Sequence, residues 1–374
     1  SSLKKFPKIL PVKYNIRHFT IVRRKMNDIF EISPYGWGKE VKRRFFNRRL
    51  RSLTARHYEN CEAYKRILDA FGFDVNGNYE YEDIPFLPVR LFKEYELRSV
   101  DKEDVVKALT SSGTSGQKVS RIFLDRATSM AETKALSRIL TSFIGKMRLP
   151  MLIIHSARAA GILGFSIFAS DKLFALDENM QLKTNEVRSF LEKHKGERIL
   201  IFGFTFMIWQ YFHQKILQMD YKPDLSGAVL IHGGGWKKLE AESVSSDDFK
   251  KALNNACGVE TSCIHDYYGM AEQAGAICME CEYGYLHTSV FSDIIVRRPG
   301  DFTPAAYGEP GVIETVSLLP ESYPGHVLLT EDTGYIAGED DCPCGRLGKY
   351  FKIRGRLRNA ELRGCSDTYA AGIR

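Results

Sequence analysis

Residues 198–232 read RILIFGFTFMIWQYFHQKILQMDYKPDLSGAVLIH and contain the pattern that decides the fold. Two short apolar runs, at 198–202 and 228–232, have the length of buried strands, and a helix-length segment near 205–219 lies between them. Parallel strands need such a helical crossover, and they are continuously apolar because both of their faces are buried. The stretch therefore predicts one strand–helix–strand unit of a parallel sheet.

The neighbouring sequence extends this pattern in both directions. Upstream, residues 151–155 predict another buried strand and residues 186–195 another helix. After about residue 285, strand-like segments separated by Gly and Pro follow at 291–297, 311–318, 326–329 and 349–354. We therefore expect an α/β fold with a parallel sheet core and a β-rich C-terminal part.

The N-terminal region is basic and predicted to be helical. Residues 1–56 contain 16 Lys and Arg against 3 Asp and Glu, a net charge of +13 compared with +7 for the whole chain. Residues 37–71 predict an amphipathic helix that ends at Gly72. Its basic face is either solvated or a docking surface for an acidic partner, an anionic lipid surface or nucleic acid. We divide the chain into a basic helical region (1–100), an α/β domain (101–364) and a mobile tail (365–374).

The composition excludes several classes of protein. Of the 374 residues, 44% are hydrophobic and 26% are charged, which is typical of a globular protein. The longest apolar run, at 199–209, is much shorter than the roughly 20 residues that a transmembrane helix needs. Eight cysteines are too few for a disulfide scaffold of this length, and no secretory signal is recognisable. We therefore expect a cytoplasmic protein without a transmembrane segment.

A hydroxyl-rich glycine loop lies between two predicted strands, at 105–110 and 122–124. Residues 110–118 read TSSGTSGQK. Glycines let backbone N–H groups approach an anion, hydroxyl groups donate further hydrogen bonds, and the lysine adds a positive charge. The spacing is not that of a Walker A loop, and Ser/Thr/Gly clusters also occur in ordinary loops. The candidate phosphate-binding residues are Ser111, Ser112, Gly113, Thr114, Ser115, Gly116 and Lys118.

Three later segments place further binding groups next to predicted strands. Residues 232–237, HGGGWK, offer bare backbone on which a flat ring can lie, at the sheet edge where α/β proteins bind ligands. Residues 267–272, YYGMAE, offer an aromatic face, a turn and a carboxylate, and residues 329–334, LTEDTG, bring carboxylates after a strand. Each segment alone is also compatible with an ordinary turn. The candidates are Gly233, Gly234, Gly235, Lys237, Tyr267, Tyr268, Gly269, Met270, Glu272 and Asp332.

Together and in this order, the segments resemble the motifs of the adenylate-forming enzymes. The loop at 110–118 is similar to their phosphate loop, with Gln117 where proline is common and Lys118 one residue early. Residues 268–272 are similar to the Tyr-Gly-x-x-Glu motif, which implies Glu272 as a ligand of Mg²⁺. The resemblance also implies ATP as a cofactor, Asp332 as the ribose-binding residue and Arg356, within IRGR at 353–356, near the nucleotide.

Three segments indicate a branch of these enzymes. IPFLPVRLFK at 84–93, HGGGWK at 232–237 and GCS at 364–366 resemble the acyl-protein synthetases, which are related to the phenylacetate–CoA ligases. The resemblance implies activation of a fatty acid as an acyl-adenylate, then transfer to the thiol of Cys365 and onward to a reductase or acyl carrier. Only ten residues follow Gly364, so we do not expect the usual C-terminal subdomain with its catalytic lysine. Lys118, Lys237 and Arg356 are candidates to replace that lysine.

The cysteine pattern predicts a structural zinc site. CPCG at 342–345 places two thiols on a tight turn, and Cys278, Cys281 and His287 lie upstream. Three thiolates with His287, or four thiolates including Cys278, would complete a tetrahedral zinc site, and unmetallated cysteines are the simpler alternative. The two segments are similar to the zinc-binding element of phenylacetate–CoA ligase relatives. That resemblance favours the set Cys281, His287, Cys342 and Cys344.

Two other functions are compatible with the sequence. Acyl–CoA ligation would use CoA as the acceptor in place of Cys365, although the arginines that precede Cys365 favour a reactive thiolate. A zinc-stabilised binding module would instead use the basic N-terminal face. No segment resembles a known nucleic-acid-binding motif, so we expect no nucleic-acid partner.

Overall fold

The computed structural model describes residues 26–111, 118–145, 148–157, 165–166, 168–236 and 243–357. Its helices are α1 (Lys39–Asn60), α2 (Glu62–Ala70), α3 (Leu91–Glu94), α4 (Arg126–Ile144), α5 (Thr184–Lys193), α6 (Thr205–Met207), α7 (Gln214–Leu217) and α8 (Ser246–Cys257), with a π-helical segment (Ile208–His213) between α6 and α7. None of the helices in these ranges is long and apolar enough to span a bilayer.

The strands assemble mainly into one mixed sheet. They are β1 (Leu87–Pro88), β2 (Val105–Thr110), β3 (Arg121–Asp125), β4 (Leu149–Ser156), β5 (Ala169–Leu176), β6 (Leu200–Phe204), β7 (Val229–Gly233), β8 (Ile264–Tyr268), β9 (Cys278–Glu280), β10 (Leu286–His287), β11 (Ser292–Arg297), β12 (Gly311–Ser317), β13 (Val327–Glu339) and β14 (Lys349–Arg356). The 12-stranded sheet has the order β11-β12-β13-β14-β10-β9-β8-β7-β6-β4-β5, with β1 beside β13, and β2 and β3 form a separate two-stranded sheet.

One half of the large sheet is parallel. Strands β5, β4, β6, β7 and β8 all run in the same direction, and β4, β6 and β7 are buried along their whole length. Their side chains belong to the main hydrophobic cluster, which also receives residues of α4, α5 and α8. The predicted parallel core is therefore confirmed, and the parallel strands β7 and β8 end at the same edge of the sheet.

The other half of the sheet is antiparallel and corresponds to the predicted β-rich part. Strands β9, β10, β14, β13, β12 and β11 pair antiparallel with their neighbours. The strand predicted at 326–329 is much longer in the structure, because β13 continues to Glu339 and pairs with β14 over most of that length. This continuation brings Asp332 opposite Arg356.

The helix predicted over 37–71 is wrong as a single element. It is divided into α1 and α2 at Cys61, whose backbone is extended with φ −131° and ψ 99°. The predicted end at Gly72 is confirmed, since this glycine has φ +64° and its N–H donates to the carbonyl oxygen of Asp69. Apolar residues of α1 lie in the main hydrophobic cluster together with the sheet.

The arginines of α1 contact the rest of the chain. Arg43 pairs with Glu80, Arg49 and Arg56 contact Glu321, and Arg51 donates to the backbone oxygen of Tyr79. These contacts show that part of the basic character of α1 serves intramolecular packing.

Candidate functional site

The glycines after β7 lie beside the aromatic residues at the end of β8. Gly233 pairs with Tyr267 in the parallel register, and a Cβ atom at Gly233 would lie 2.6 Å from the Tyr267 ring. The ring of Tyr267 therefore lies directly beside Gly233, while a flat ligand ring on this glycine segment stays a prediction. Gly234 and Gly235 have φ of +79° and +62°, and among the described residues no heavy atom beyond the chain neighbours lies within 4 Å of a Cβ at Gly235.

Three candidate nucleotide-binding residues form a hydrogen-bonded cluster. The hydroxyl of Tyr268 donates to Asp332 Oδ2 at 2.8 Å, and Nε of Arg356 donates to Asp332 Oδ1 at 3.0 Å. Burial and the charge of Asp332 raise the pKa of Tyr268, so the phenol keeps its proton at neutral pH. Tyr268 ends β8, Arg356 ends β14 and Asp332 lies within β13, so these strands bring an aromatic ring, a carboxylate and a guanidinium together.

Glu272 lies on a buried turn that follows β8. Residues 271–273 form a short 3₁₀ helix, and the side chains of Glu272 and Gln273 are both buried. Gln273 Nε2 donates to the backbone oxygens of Thr315 and Gly325, at 3.1 and 2.8 Å. The turn is therefore held against the β12–β13 connection, and Gly269 and Met270 link it to Tyr268.

The hydroxyl-rich loop connects β2 to β3. Its two ends are joined, because the N–H of Ser111 donates to the Ser120 carbonyl oxygen and the N–H of Ser120 donates to Ser111 Oγ. Apolar side chains of the hairpin pack in one cluster with Met270 and Ala271. The base of the loop therefore shares a core with the turn that carries Glu272.

Several predicted site residues lie outside the described residues. They are Ser112, Gly113, Thr114, Ser115, Gly116, Lys237 and Cys365. Lys118 is described and lies directly after the undescribed part of the loop.

Three cysteines and one histidine converge where β9, β10 and the β13–β14 turn meet. The ligand atoms of Cys281, His287, Cys342 and Cys344 all lie within 4.8 Å of one another. Cys281 Sγ is 4.0 Å from Cys342 Sγ, and Cys344 Sγ is 3.3 Å from His287 Nε2. Tetrahedral zinc with Zn–S bonds of about 2.3 Å has sulfur–sulfur edges of about 3.8 Å. The spacing of the four atoms therefore fits a tetrahedral metal ion.

The alternative ligand Cys278 is not part of this group. It is buried in a separate apolar cluster with Leu286, Ile294 and Phe351. It lies in β9, three residues before Cys281, and its side chain packs within the sheet. The four-cysteine set is therefore not the one that the structure brings together.

The protonation states in this cluster suit a metal that displaces protons. Burial lowers the pKa of His287 to about 4, so its imidazole is neutral and able to bind a metal through Nε2. Burial also raises the pKa values of the Cys281 and Cys342 thiols. A bound divalent ion would reverse this second effect, since a coordinating thiol loses its proton.

Two buried groups next to Glu272 were not predicted from the sequence. Glu132 of α4 and Tyr323 of the β12–β13 connection are both buried. The Tyr323 hydroxyl lies 3.2 Å from Glu132 Oε1 and 3.0 Å from the backbone oxygen of Glu272. Neither residue belongs to a recognisable motif. The one sequence signal for Glu132 is that it is an acidic residue on the apolar side of a predicted helix.

An ion-pair network beneath α1 was also missed. Lys42 and Lys349 lie 3.2 and 2.8 Å from the two carboxylate oxygens of Asp293, and all three side chains are buried. Burial raises the pKa of Asp293, but the two lysines outweigh this effect and hold the pKa well below its usual range. The network joins α1 to β11 and β14 and so ties the N-terminal region to the sheet.

Comparison with known proteins gives relatives over almost the whole chain. The long-chain-fatty-acid–luciferin-component ligase of Vibrio harveyi is 23% identical over 361 residues, which are 90% of each chain. The enzyme of the same name from Aliivibrio fischeri is 24% identical over 377 residues, covering 95% of this chain and 96% of that one. A phenylacetate–coenzyme A ligase of Thermus thermophilus is 22% identical, covering 82% and 68%.

The fold is similar to that of a solved acyl–CoA ligase. The open conformation of 2-hydroxyisobutyryl-CoA ligase, in complex with 2-HIB-AMP and CoA, superposes with a TM-score of 0.69 at 17% identity, covering 86% of this chain and 71% of that one. Residues 16–373 match the family described as "Acyl-protein synthetase, LuxE". The chain therefore belongs to the LuxE family of acyl-protein synthetases, and it is an AMP-forming ligase that activates acyl groups with ATP.

Proposed function

We propose that this chain activates a fatty acid as an acyl-adenylate and then transfers the acyl group to its own Cys365. The observation that supports the proposal most directly is the hydrogen-bonded cluster of Tyr268, Asp332 and Arg356, which come from three different strands. Because Glu272 lies four residues after Tyr268, the same strand end presents a carboxylate for a divalent ion. The two curated fatty-acid ligases support the choice of substrate.

In the first step, a carboxylate oxygen of the acid attacks the α-phosphorus of ATP. The bond to the bridging oxygen breaks, and pyrophosphate leaves with the electron pair. Ser111, Ser112, Thr114 and Lys118 hold the phosphates, Asp332 holds the ribose hydroxyls, and Arg356 approaches the phosphate side. A single carboxylate such as Glu272 suits Mg²⁺, which keeps waters and phosphate oxygens as its other ligands. Bound there, Mg²⁺ would neutralise the negative charge that develops on the phosphates.

Asp332 changes partners in this mechanism. Both of its carboxylate oxygens accept hydrogen bonds, one from Tyr268 and one from Arg356. Ribose hydroxyl groups that donate to Asp332 would replace the hydrogen bond that Arg356 donates to it. The side chain of Arg356 is about one-third exposed. The freed guanidinium would then face the negatively charged phosphates.

In the second step, the thiolate of Cys365 attacks the carbonyl carbon of the acyl-adenylate. A thioester forms, and AMP leaves with the electrons of the broken C–O bond. An ordinary thiol has a pKa of about 8.5 and is only slightly ionised at neutral pH, so the arginines near Cys365 would assist this step. We further propose that the thioester passes to a reductase or acyl carrier, and that the enzyme works in the cytoplasm, where thiols stay reduced.

Mass spectrometry of the intact protein tests this function. After incubation with ATP, Mg²⁺ and a mixture of fatty acids, we expect a mass increase that corresponds to one fatty acid less one water. The mass identifies the preferred chain length, and hydroxylamine should remove the adduct because it cleaves thioesters. The proposal is wrong if AMP and free acyl-CoA form in the presence of CoA while the protein never carries an acyl group.

That contrary result would favour the second candidate function, acyl–CoA ligation. The phenylacetate–coenzyme A ligase of Thermus thermophilus and the solved 2-hydroxyisobutyryl-CoA ligase support it. CoA would then replace Cys365 as the attacking thiol, and a Cys365→Ser variant would form acyl-CoA at the wild-type rate.

We also propose that Cys281, His287, Cys342 and Cys344 bind a structural zinc ion. Three thiolates and one imidazole fill all four positions of a tetrahedral site and leave none for a substrate. The ion would join the β9–β10 hairpin to the turn between β13 and β14. Because Asp332 and Arg356 lie on β13 and β14, such a link would stabilise the strands that carry them.

Loss of this zinc is expected to lower the stability of the protein. We expect one zinc ion per chain by elemental analysis, and a Cys342→Ala variant that binds none and loses about 2–4 kcal/mol of unfolding free energy, as when a cross-link closing a long loop is removed. Cys263→Ala is the control, because Cys263 lies outside the cluster. Zinc-free wild-type protein with an unchanged melting temperature would contradict the proposal.

A further inference from the structure

Three separate parts of the chain meet at the hydroxyl of Tyr323. Glu132 comes from α4, Tyr323 comes from the connection between β12 and β13, and the backbone oxygen of Glu272 comes from the turn after β8. The Tyr323 side chain is fully buried, and Glu132 is 5% exposed. These groups are therefore shielded from water, and their hydrogen bonds must be satisfied mainly within the protein.

The number of hydroxyl hydrogens available decides how these three groups are hydrogen-bonded. A phenol has one hydrogen, so Tyr323 cannot fully satisfy both Glu132 and the oxygen of Glu272 as a donor. If Glu132 is protonated, it donates to Tyr323 Oη, and Tyr323 donates to the backbone oxygen of Glu272. Burial raises the pKa of Glu132 to about 8, which is consistent with the protonated form at neutral pH. Two consecutive hydrogen bonds then connect Glu132, Tyr323 and the backbone oxygen of Glu272, and we call this connection the relay.

Two glycines permit this close approach. A Cβ at Gly325 would lie 2.2 Å from the Tyr323 ring and 2.9 Å from the Glu272 backbone oxygen. Gly275 has φ +81°, and a Cβ there would lie 2.4 Å from the backbone oxygen of Glu132. Any side chain at either position would push Glu132 or Tyr323 away from the turn of Glu272.

The same connection also contacts the hairpin that carries the hydroxyl-rich loop. Ser322 Oγ donates to the backbone oxygen of Phe123 in β3 at 2.9 Å. Helix α4, which carries Glu132, begins directly after β3, and Asp125 caps it by accepting from the N–H of Thr128 at 2.7 Å. The relay therefore links the base of the loop to the turn of Glu272 on two sides.

We infer that Glu132 and Tyr323 are positioning residues that hold the turn of Glu272 against the β2–β3 hairpin, at the base of the hydroxyl-rich loop, for binding Mg²⁺ and ATP. This inference rests on the proposed function, because it takes Glu272 as the carboxylate that faces the metal. Tyr323 acts through the backbone oxygen of Glu272, and Glu132 acts through Tyr323.

Conservative and disruptive variants separate positioning from general stability. Tyr323→Phe removes the hydroxyl, Glu132→Leu removes the donor, and Glu132→Gln keeps a donor because its amide can donate to Tyr323 Oη. Tyr64→Phe is the matched control, because Tyr64 is a buried tyrosine of the same hydrophobic cluster whose hydroxyl lies 3.3 Å from His326 Nε2 and is not part of the relay.

Two readouts are measured for each variant as Mg²⁺ is varied: fatty-acid-dependent ATP–pyrophosphate exchange, and the rise in melting temperature that ATP produces. We expect Tyr323→Phe and Glu132→Leu to need about three- to tenfold more Mg²⁺ for half of the full effect, which is the loss of one buried hydrogen bond. Glu132→Gln and Tyr64→Phe should stay within about twofold of wild type.

The results distinguish this inference from the proposed function. Absence of exchange in the wild type would contradict the proposed function, while the melting-temperature series would still test the relay. Wild-type Mg²⁺ dependence of Tyr323→Phe and Glu132→Leu in the melting-temperature series would overturn the inference. Equal impairment of Glu132→Gln and Glu132→Leu would overturn it as well.

Discussion

A Glu272→Gln variant is expected to lose at least about 100-fold in the rate of fatty-acid-dependent ATP–pyrophosphate exchange. The substitution keeps the volume of the side chain but removes the charge that would hold Mg²⁺ against the phosphates. Loss of one preorganised electrostatic partner of a transition state commonly has an effect of this size. The measurement is the exchange rate at saturating ATP and acid over a series of Mg²⁺ concentrations.

The control for this variant is Glu260→Gln. Glu260 precedes the same strand, β8, at its opposite end, and its side chain is exposed. It should exchange at the wild-type rate, and both variants should melt within a few degrees of wild type. If Glu272→Gln keeps more than a tenth of the exchange rate while it remains folded, Glu272 is not the metal-binding carboxylate.

A Cys365→Ser variant is expected to separate the two chemical steps. It should keep the ATP–pyrophosphate exchange of the wild type, because adenylation does not use the thiol. It should lose covalent labelling by radioactive fatty acid almost completely, because an uncharged serine hydroxyl is a far weaker nucleophile than a thiolate. Gel fluorography or scintillation counting of the denatured protein measures the label.

Cys263→Ser is the matched variant for the labelling experiment. Cys263 is a partly exposed thiol at the start of β8, outside the metal cluster, and has no part in the proposed transfer. Its label should equal that of the wild type. Undiminished labelling of Cys365→Ser would show that another residue accepts the acyl group.

The sequence predicts the parallel core well because its signal is local. The apolar runs near β4, β6 and β7 are continuous, and these strands are buried on both faces. β5 was not predicted, since its sequence at 169–176 mixes polar and apolar residues and only part of it is buried. Its pairing with β4 depends on contacts that are distant in sequence.

The division between α1 and α2 illustrates a second limit. Residues on both sides of Cys61 favour helix, and no glycine or proline marks a boundary there. The break lets Tyr64 and Leu68 pack in the smaller cluster with β3, while α1 packs in the main one. Tertiary packing thus overrides a local preference that the sequence shows clearly.

The motifs predict the residues of the candidate site better than their contacts. The motif resemblance that indicated Tyr268, Asp332 and Arg356 corresponds to a hydrogen-bonded cluster, because the fold brings the ends of β8 and β14 beside Asp332 in β13. The packing of Tyr267 on Gly233 depends on the register between β7 and β8, which the sequence does not reveal. The choice of Cys281 over Cys278 likewise depends on the direction of side chains in β9.

Glu132 and Tyr323 show why supporting residues are harder to find. Each is separated from Glu272 by at least 51 residues, and neither has a motif of its own. Their role depends on one hydroxyl group placed between the Glu132 carboxyl group and the Glu272 backbone oxygen, an arrangement that only the folded chain defines. The motif residues, in contrast, are recognisable because the chemistry of phosphate and metal binding restricts their type and spacing.

The central claim is that one site brings ATP, a divalent ion and a fatty acid together so that a mixed anhydride forms. The most direct test is pyrophosphate exchange into ATP by the wild-type protein, measured with fatty acids from short to long chain. The account predicts exchange that requires both Mg²⁺ and an acid of a preferred length. Folded protein that supports no acid-dependent exchange at any chain length would contradict it.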